Sequence, residues 1–506
     1  MANTPTSPQP FELRVPGTGI GGLGSRATLF IVAAGMLGLG LAISVLLAQG
    51  QVRAVTLILM AVLGLFCLTP RRGVFLLLIF LPFMYFIRRL VLNFQAFEAR
   101  DPILTFPAVV TLAMFMGVVI FHRQRLLHYF TWSPTLKTCV FLMGVFLLQI
   151  VNPVQGSILV GIAGAMFFMV PMAWCFFGLL MTRKDMRRLM TIVLVIGGIT
   201  ALYGLYQHFF GLNSVEVYEA KSKNFYKTFG RDNVRVMSTF ASPGDYSQYL
   251  MVAGVLAFTS FWRSKKNLVS IAVFLLILFA MVWISVRAAI LLLLFALLMS
   301  QILNTTTATR VFARGAAALV VVMGIYITLY SYNPEQMYDS QFSRNPYVVH
   351  TLSGITHPTQ ERSFQGRIES WTSVVLDAFT RLPVGPVGHG IGSTTTAAAK
   401  FEGGRVFAAD SYYFELFYGS GLAAGLLFSV LIVQISLMVV RLCLARPDIY
   451  EYRILGGLIF GLLLGAVFGQ APRDTISGPF MWLVIGFMLR ESIDLAGKGF
   501  VEPRAG

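Results

Sequence analysis

Of the 506 residues, 56% are apolar and only 12% are charged. A soluble domain carries about twice that charge, so a single water-soluble globule is excluded, as are disordered and fibrous classes. The net charge of +17 would suit a nucleic-acid binder, but the basic residues punctuate apolar runs instead of forming one basic domain, which is the pattern of a membrane topology signal.

The apolar content is enough for roughly 14 spans of about 20 residues. A polar stretch, residues 1–27, comes first. It is longer than the short basic start of a signal peptide, so the apolar segment after it is expected to be a retained span. Segments follow at about 28–48, 54–69, 73–87, 104–121, 138–152, 157–181, 189–210, 246–262, 267–285, 288–303, 315–332, 412–440, 454–470 and 479–491. Several are short or closely spaced, so the expected fold is an all-α polytopic membrane protein with 12–14 transmembrane helices. Its organisation reads as the polar N-terminus, N-terminal helices to residue 210, a central region 211–440 with two long loops (211–245 and 333–410), and C-terminal helices and tail from 441 to 506. Placing both termini in the cytoplasm puts 22 basic residues on the inner side and 6 in short outer loops, as the positive-inside rule requires.

The cysteines Cys67, Cys139, Cys175 and Cys443 sit in or beside spans, so no structural disulfide is expected. No Cys/His metal spacing exists, and His350 with His357 makes half a metal site at best. No metal or cofactor is expected. The long loops carry aromatic residues such as Phe225, Tyr226, Tyr338 and Phe364, which argues for ordered structure lying along the membrane.

Three arginines stand out. Arg287 lies between two apolar runs with almost no turn between them, an expensive place for a cation unless an anion or lipid phosphate meets it. Arg235 precedes a turn-rich run that leads directly into a span. Arg367 opens a stretch in which Ile368, Trp371, Val375, Phe379 and Leu382 recur at helical spacing, an amphipathic interfacial helix. A guanidinium at that helix start opposes the macrodipole; it makes sense against a diphosphate, which it binds bidentately, or as a plain solvated charge. Asp410 stands at the outer entrance of the twelfth span with Glu415 just inside, and it reads as a proton acceptor, as a helix N-cap, or as both. Gly419, Ser420, Gly421 and Gly425 permit close helix contact. The glycine-rich run 385–392, which contains His389, follows neither a strand nor a Walker pattern and reads as no nucleotide site.

In order, these pieces resemble the O-antigen ligase and polysaccharide polymerase family of bacterial inner-membrane glycosyltransferases. They are Tyr-Gly-Leu-Tyr-Gln (203–207), Arg-Val-Met-Ser-Thr-Phe-Ala-Ser-Pro-Gly-Asp (235–245), Ser-Val-Arg (285–287), Gly-Arg-Ile-Glu-Ser-Trp (366–371), Pro-Val-Gly-His-Gly-Ile-Gly (386–392) and the run 410–425. The resemblance implies a donor sugar linked to undecaprenyl diphosphate and a metal-independent inverting transfer. By position, Arg287 and Arg367 match the family's essential arginines, with Arg235 a third for the diphosphate. Ligases carry a histidine where this chain has Asp410, a departure that points toward the polymerases. Tyr412, Tyr413, Trp371 and His389 are sugar-binding candidates, and membrane lipids, a chain-length-determining protein and a flippase are expected partners. The leading expectation is a polymerase of lipid-linked repeat units. Alternatives are a ligase acting on lipid A core and, from another class, a lipid-linked-sugar transporter.

Overall fold

A computed structural model describes residues 58, 61–92, 102–222, 235–263, 268–284, 286–317, 320, 362–382, 384–395 and 410–499. The chain divides into two compact units, Met1–Leu59 and Met60–Gly506. Nearly all described residues, and every helix named below, belong to the second unit. The polar stretch 1–27, the segment 28–48, part of 54–69, and most of 315–332 and 333–410 lie outside the described residues.

The protein is an all-α polytopic membrane protein, with no strand among the described residues. The helices are α1 (Pro70–Phe80), α2 (Met84–Leu92), α3 (Phe106–Phe121), α4 (Arg123–Trp132), α5 (Pro134–Gln149) and α6 (Ile158–Gly178). Then come α7 (Arg183–Phe210), α8 (Ser214–Ser222), α9 (Pro243–Arg263), α10 (Leu268–Ile284) and α11 (Arg287–Ile302). The series closes with α12 (Arg362–Thr380), α13 (Val384–Val387), α14 (Tyr412–Ala445), α15 (Tyr450–Phe468) and α16 (Ser477–Ile493). Five helices among the described residues are long and apolar enough to cross a membrane, or six when the pair α3 and α4, bent by 90°, counts as one. Shorter apolar helices α5, α10 and α11 coincide with three further expected segments. Among the described residues, three helices fall in the expected long loops: α8 in the first, and α12 and α13 in the second.

Local sequence sets the helix starts. Thr182 and Asp185 form a reciprocal capping box at the head of α7, Ser133 caps α5 and Ser157 caps α6, each satisfying amide groups the first turn leaves open. Pro70, Pro107 and Pro134 sit in first turns, where no intrahelical N–H is needed.

With lipid on one side, helices gain little from burying apolar surface, so close backbone approach through small residues carries the packing. A Cβ on Gly486 of α16 would lie 1.9 Å from the Cys175 carbonyl of α6, and one on Gly178 would lie 2.1 Å from the Leu483 carbonyl. Along α15, Gly457, Gly461 and Gly465 repeat every fourth residue. They face Ala296 and Ser300, then Ala296 and Leu292, then Leu292 of α11.

Polar side chains gather at the two ends of the bundle. At one end Arg71 pairs with Asp185, Arg183 with Glu491 and Arg187 with Glu451, while Arg490 bonds Asp494 and the Met181 carbonyl. The other end holds Arg89, Glu216, Glu219, Arg287, Arg367, Asp410, Glu415 and Arg473.

Replacing Gly486 with Ala should force α16 from α6 and cost about 1–3 kcal/mol. A thermal unfolding scan of the detergent-purified chain should show a lower midpoint for Gly486→Ala, and an unchanged one for Gly144→Ala, whose Cβ meets nothing within 4 Å.

Candidate functional site

The site is organised by a break in α14. Gly421 has φ +74° and ψ −174°, outside helical values. The Tyr413 hydroxyl lies 2.8 Å from the Ser429 hydroxyl, 16 residues on, whereas a straight helix would separate them by roughly 24 Å. The ring of Tyr412 packs on Phe428 at 5.0 Å. Residues 412–420 therefore form a short arm that doubles back along the longer arm 421–445. The expected continuous span over 412–440 is thus corrected. The physical reason is the left-handed glycine, which no helix can run through.

The break is filled by backbone from the glycine-rich run. The His389 amide donates to the Tyr418 carbonyl at 2.9 Å, and its ring stacks on Tyr418 at 4.1 Å. A Cβ on Gly388 (φ +89°) would lie 2.5 Å from the Gly421 nitrogen, and one on Gly421 would lie 2.2 Å from the Pro386 carbonyl. Three amide side chains, one from the end of α5 and two from the turn between α5 and α6, hold this run from behind. Gln149 donates to the Val387 carbonyl at 2.7 Å and Asn152 to the Gly388 carbonyl at 2.9 Å. Gln155 accepts from the Gly392 amide at 3.4 Å.

The short arm is anchored at its start to the end of α15. The Tyr412 amide donates to the Gly469 carbonyl at 2.7 Å. Ser411 caps the arm, accepting from the Phe414 amide at 3.4 Å, and its hydroxyl donates to the Ala466 carbonyl at 3.3 Å. The N-cap is therefore Ser411, and the alternative that Asp410 caps the helix is corrected: Asp410 stands one residue earlier with φ +49°. Its carboxylate is left to face Arg367, whose Nε and Nη2 both lie 3.4 Å from Asp410 Oδ2.

Inside the arm, Glu415 is fully buried and takes bonds from Gln470 at 2.9 Å and from Arg473 Nη2 at 3.1 Å. Arg473 also donates to the Thr394 carbonyl at 3.4 Å and lies over the Phe168 ring at 5.2 Å. One turn away, Asp474 bonds the amide and hydroxyl of Ser477, whose hydroxyl also contacts Gln248 of α9 at 3.1 Å. The connection between α15 and α16 thus ties together α9, α14 and the 388–395 run.

Arg287 opens α11 directly after α10, as expected, and is half-buried. The pairing of Gly457, Gly461 and Gly465 with Ser300, Ala296 and Leu292, continued by one turn, sets residue 288 opposite Gly469. That puts the start of α11 level with the end of α15. Trp371 lies between the Phe414 ring at 4.9 Å and the Phe468 ring at 6.1 Å, which brings α12 and Arg367 to the same end of α15. Arg235 belongs to a neighbouring turn. That turn is held by buried Arg89 of α2, which pairs with Glu219 at 2.6 Å and donates to the carbonyls of Ser238 and Phe240. Gln207 of α7 accepts from the Ser238 amide at 2.7 Å.

The aromatic candidates are engaged with protein. Tyr412 is fully buried between Phe168 and Phe428, Tyr413 bonds Ser429, Trp371 stacks on Phe414 and His389 on Tyr418. Tyr412 presents no ring face to a ligand. The interfacial helix also differs from expectation. It begins at Arg362, so Arg367 lies in its second turn instead of at its N-terminus. Its protein-facing side is Trp371, Val374 and Ala378 against Phe417, Tyr413 and Phe414. Ile368, Val375, Phe379 and Leu382 are exposed, the apolar side that an interfacial helix turns to lipid.

Sequence reasoning passed over Arg473, Gln470, Arg89 and the trio Gln149, Asn152 and Gln155. The signal available was polar residues concentrated in very short connections, as in Gln-Ala-Pro-Arg-Asp (470–474) and Asn-Pro-Val-Gln-Gly (152–156). No group of three or more His, Cys, Asp or Glu able to hold a metal occurs among the described residues. In comparison with known proteins, the chain matches no protein-family model and no curated protein.

Removing one member of a buried ion pair leaves an uncompensated charge, at a cost of about 3–5 kcal/mol. Arg473→Ala should therefore lower the thermal midpoint of the purified protein strongly, whereas the double variant Glu415→Gln/Arg473→Gln should recover most of the loss.

Proposed function

We propose that this protein is a glycosyltransferase of the polysaccharide polymerase type. It joins undecaprenyl-diphosphate-linked oligosaccharide repeat units at the outer face of a bacterial inner membrane. The observation that carries the reading is the meeting of Arg367 and Asp410 at the joint where α11, opened by Arg287, adjoins the end of α15. A cation for a leaving diphosphate and a carboxylate for an acceptor hydroxyl stand together at one end of a membrane bundle. The opposite end, with the arginines of α1, α7, α15 and α16, is the cytoplasmic one under the positive-inside rule.

The chemistry follows from charge. As the bond from the anomeric carbon to the diphosphate oxygen breaks, negative charge grows on the diphosphate. Guanidinium groups of Arg367 and Arg287 meet that charge with paired, planar donors. Asp410 accepts the proton of the attacking hydroxyl as the new glycosidic bond forms. Arg235, in the turn braced by Arg89 and Gln207, is a third cation for the donor. Glu415 is committed to Arg473 and Gln470, so it holds the short arm in place and leaves the proton transfer to Asp410. A lipid-linked donor keeps its tail in the bilayer beside the exposed apolar side of α12.

The test is polymer output from a deletion strain complemented with Arg287→Ala, Arg367→Ala or Asp410→Asn, with membrane expression of each checked. Loss of high-molecular-weight polysaccharide with accumulation of single lipid-linked repeats is expected, by about 100-fold or more for Asp410→Asn. Intact polymer retained on its lipid carrier would make the protein a ligase. Normal polymer from every well-expressed variant would overturn the assignment.

A further inference from the structure

We propose that Asp410 is a built-in counter-anion of Arg367 that an incoming diphosphate displaces, so that the carboxylate is released to accept a proton only once the diphosphate is seated. The inference rests on the function proposed above and adds the order of events at that site.

The carboxylate inside the short arm and the one just before its cap are held in opposite ways. Glu415 has no exposed side-chain surface and takes bonds of 2.9 and 3.1 Å from Gln470 and Arg473. It is locked. Asp410 is 56% exposed, its partner Arg367 is 34% exposed, and both nitrogens reach a single oxygen at 3.4 Å. That is far longer than the roughly 2.7–2.9 Å of a strong charge-assisted bond. Among the described residues, Arg367 is the hydrogen-bonding partner of Asp410, and Oδ1 takes no bond. An exposed pair of this kind is weak and exchanges readily.

The backbone supports the same reading. Ser411 does the capping, so the Asp410 side chain has no task in starting the helix. Its φ of +49° lies outside helical values. Aspartate tolerates that region better than most residues but still at some cost.

A diphosphate carries more charge than a carboxylate and offers several oxygens to the guanidinium fork. On arrival it takes Arg367, and Asp410 is left without its cation. The transfer then balances. The acceptor O–H bond breaks, and its proton goes to an Asp410 oxygen. The acceptor oxygen bonds the anomeric carbon, and the carbon–oxygen bond to the diphosphate breaks with its electron pair, leaving the charge on the group that Arg367 holds. A site without diphosphate keeps Asp410 occupied, which guards against deprotonating an acceptor when no donor is present.

The experiment is calorimetric titration of the purified full-length chain, in a detergent with an uncharged head group, using inorganic pyrophosphate as the probe. Asp410→Asn and Asp410→Gly should each bind pyrophosphate about two- to five-fold more tightly than the unaltered chain, the worth of an exposed ion pair, while losing polymer output. Arg367→Ala should lose most of the binding. Glycine accepts a positive φ without strain, so the Gly variant keeps the test alive where the Asn variant fails to fold. Arg367-dependent binding that the Asp410 variants leave unchanged or weaken overturns this inference alone. Binding indifferent to Arg367 overturns the diphosphate role of that arginine, and with it this inference. A gain in the Gly variant that the Asn variant lacks would trace to relief of the backbone and would also overturn it.

Discussion

A carbonyl freed by a break in a helix must find another donor wherever water cannot take its place. In α14 that carbonyl belongs to Tyr418, and the donor is the amide of His389. The exchange is possible only because glycines stand on both sides of it. Gly388 and Gly390 hold positive φ values on one strand of the contact and Gly421 on the other, and the backbones approach to distances no side chain would permit. Once α14 turns at Gly421, its first nine residues run back toward the bundle. The arm is roughly 13 Å long, so Asp410 is set back by that distance from the turn, level with the end of α15. Every feature of the candidate site depends on that displacement.

Around the fold-back, tight and loose interactions are divided by burial. Gln149, Asn152 and Gln155 hold the 388–395 run, Arg473 and Gln470 hold the short arm through Glu415, and Arg89 with Gln207 holds the turn that carries Arg235. These groups are largely or wholly enclosed and bonded on several sides, as buried polar groups have to be. The pair of Arg367 and Asp410 is exposed and long. Rigid support beneath a weakly held cation and carboxylate is an arrangement suited to exchanging ligands, since the supporting shell keeps its geometry when the pair opens. At the opposite end of the bundle, by contrast, Asp185, Glu451 and Glu491 are buried partners of arginines, and they fasten helix ends to one another.

Much of the fold was legible in the sequence because lipid imposes a strong and simple rule: long apolar runs form helices, and basic residues mark their ends. Eleven of the expected segments meet helices within a few residues, including the abrupt hairpin at Arg287 and the amphipathic character of α12. The candidate site was legible as a set of residue types at one end of the bundle. Arg367 and Asp410, 43 residues apart in the chain, do come together.

The sequence by itself determined an all-α membrane protein, the approximate limits of its helices, and the end of the bundle where its unusual charges collect. The tertiary structure decided the rest. Hydropathy is blind to a turn made of glycines inside an apolar run, so the fold-back at Gly421 left no trace in the segment pattern. Helical spacing identifies the apolar side of α12 through Ile368, Val375, Phe379 and Leu382, which stays exposed, but not the second side, Val374 and Ala378, that meets protein. The roles of Arg473 and Glu415 depend on a contact across 58 residues. Such a contact exists only once α14 has doubled back against the end of α15.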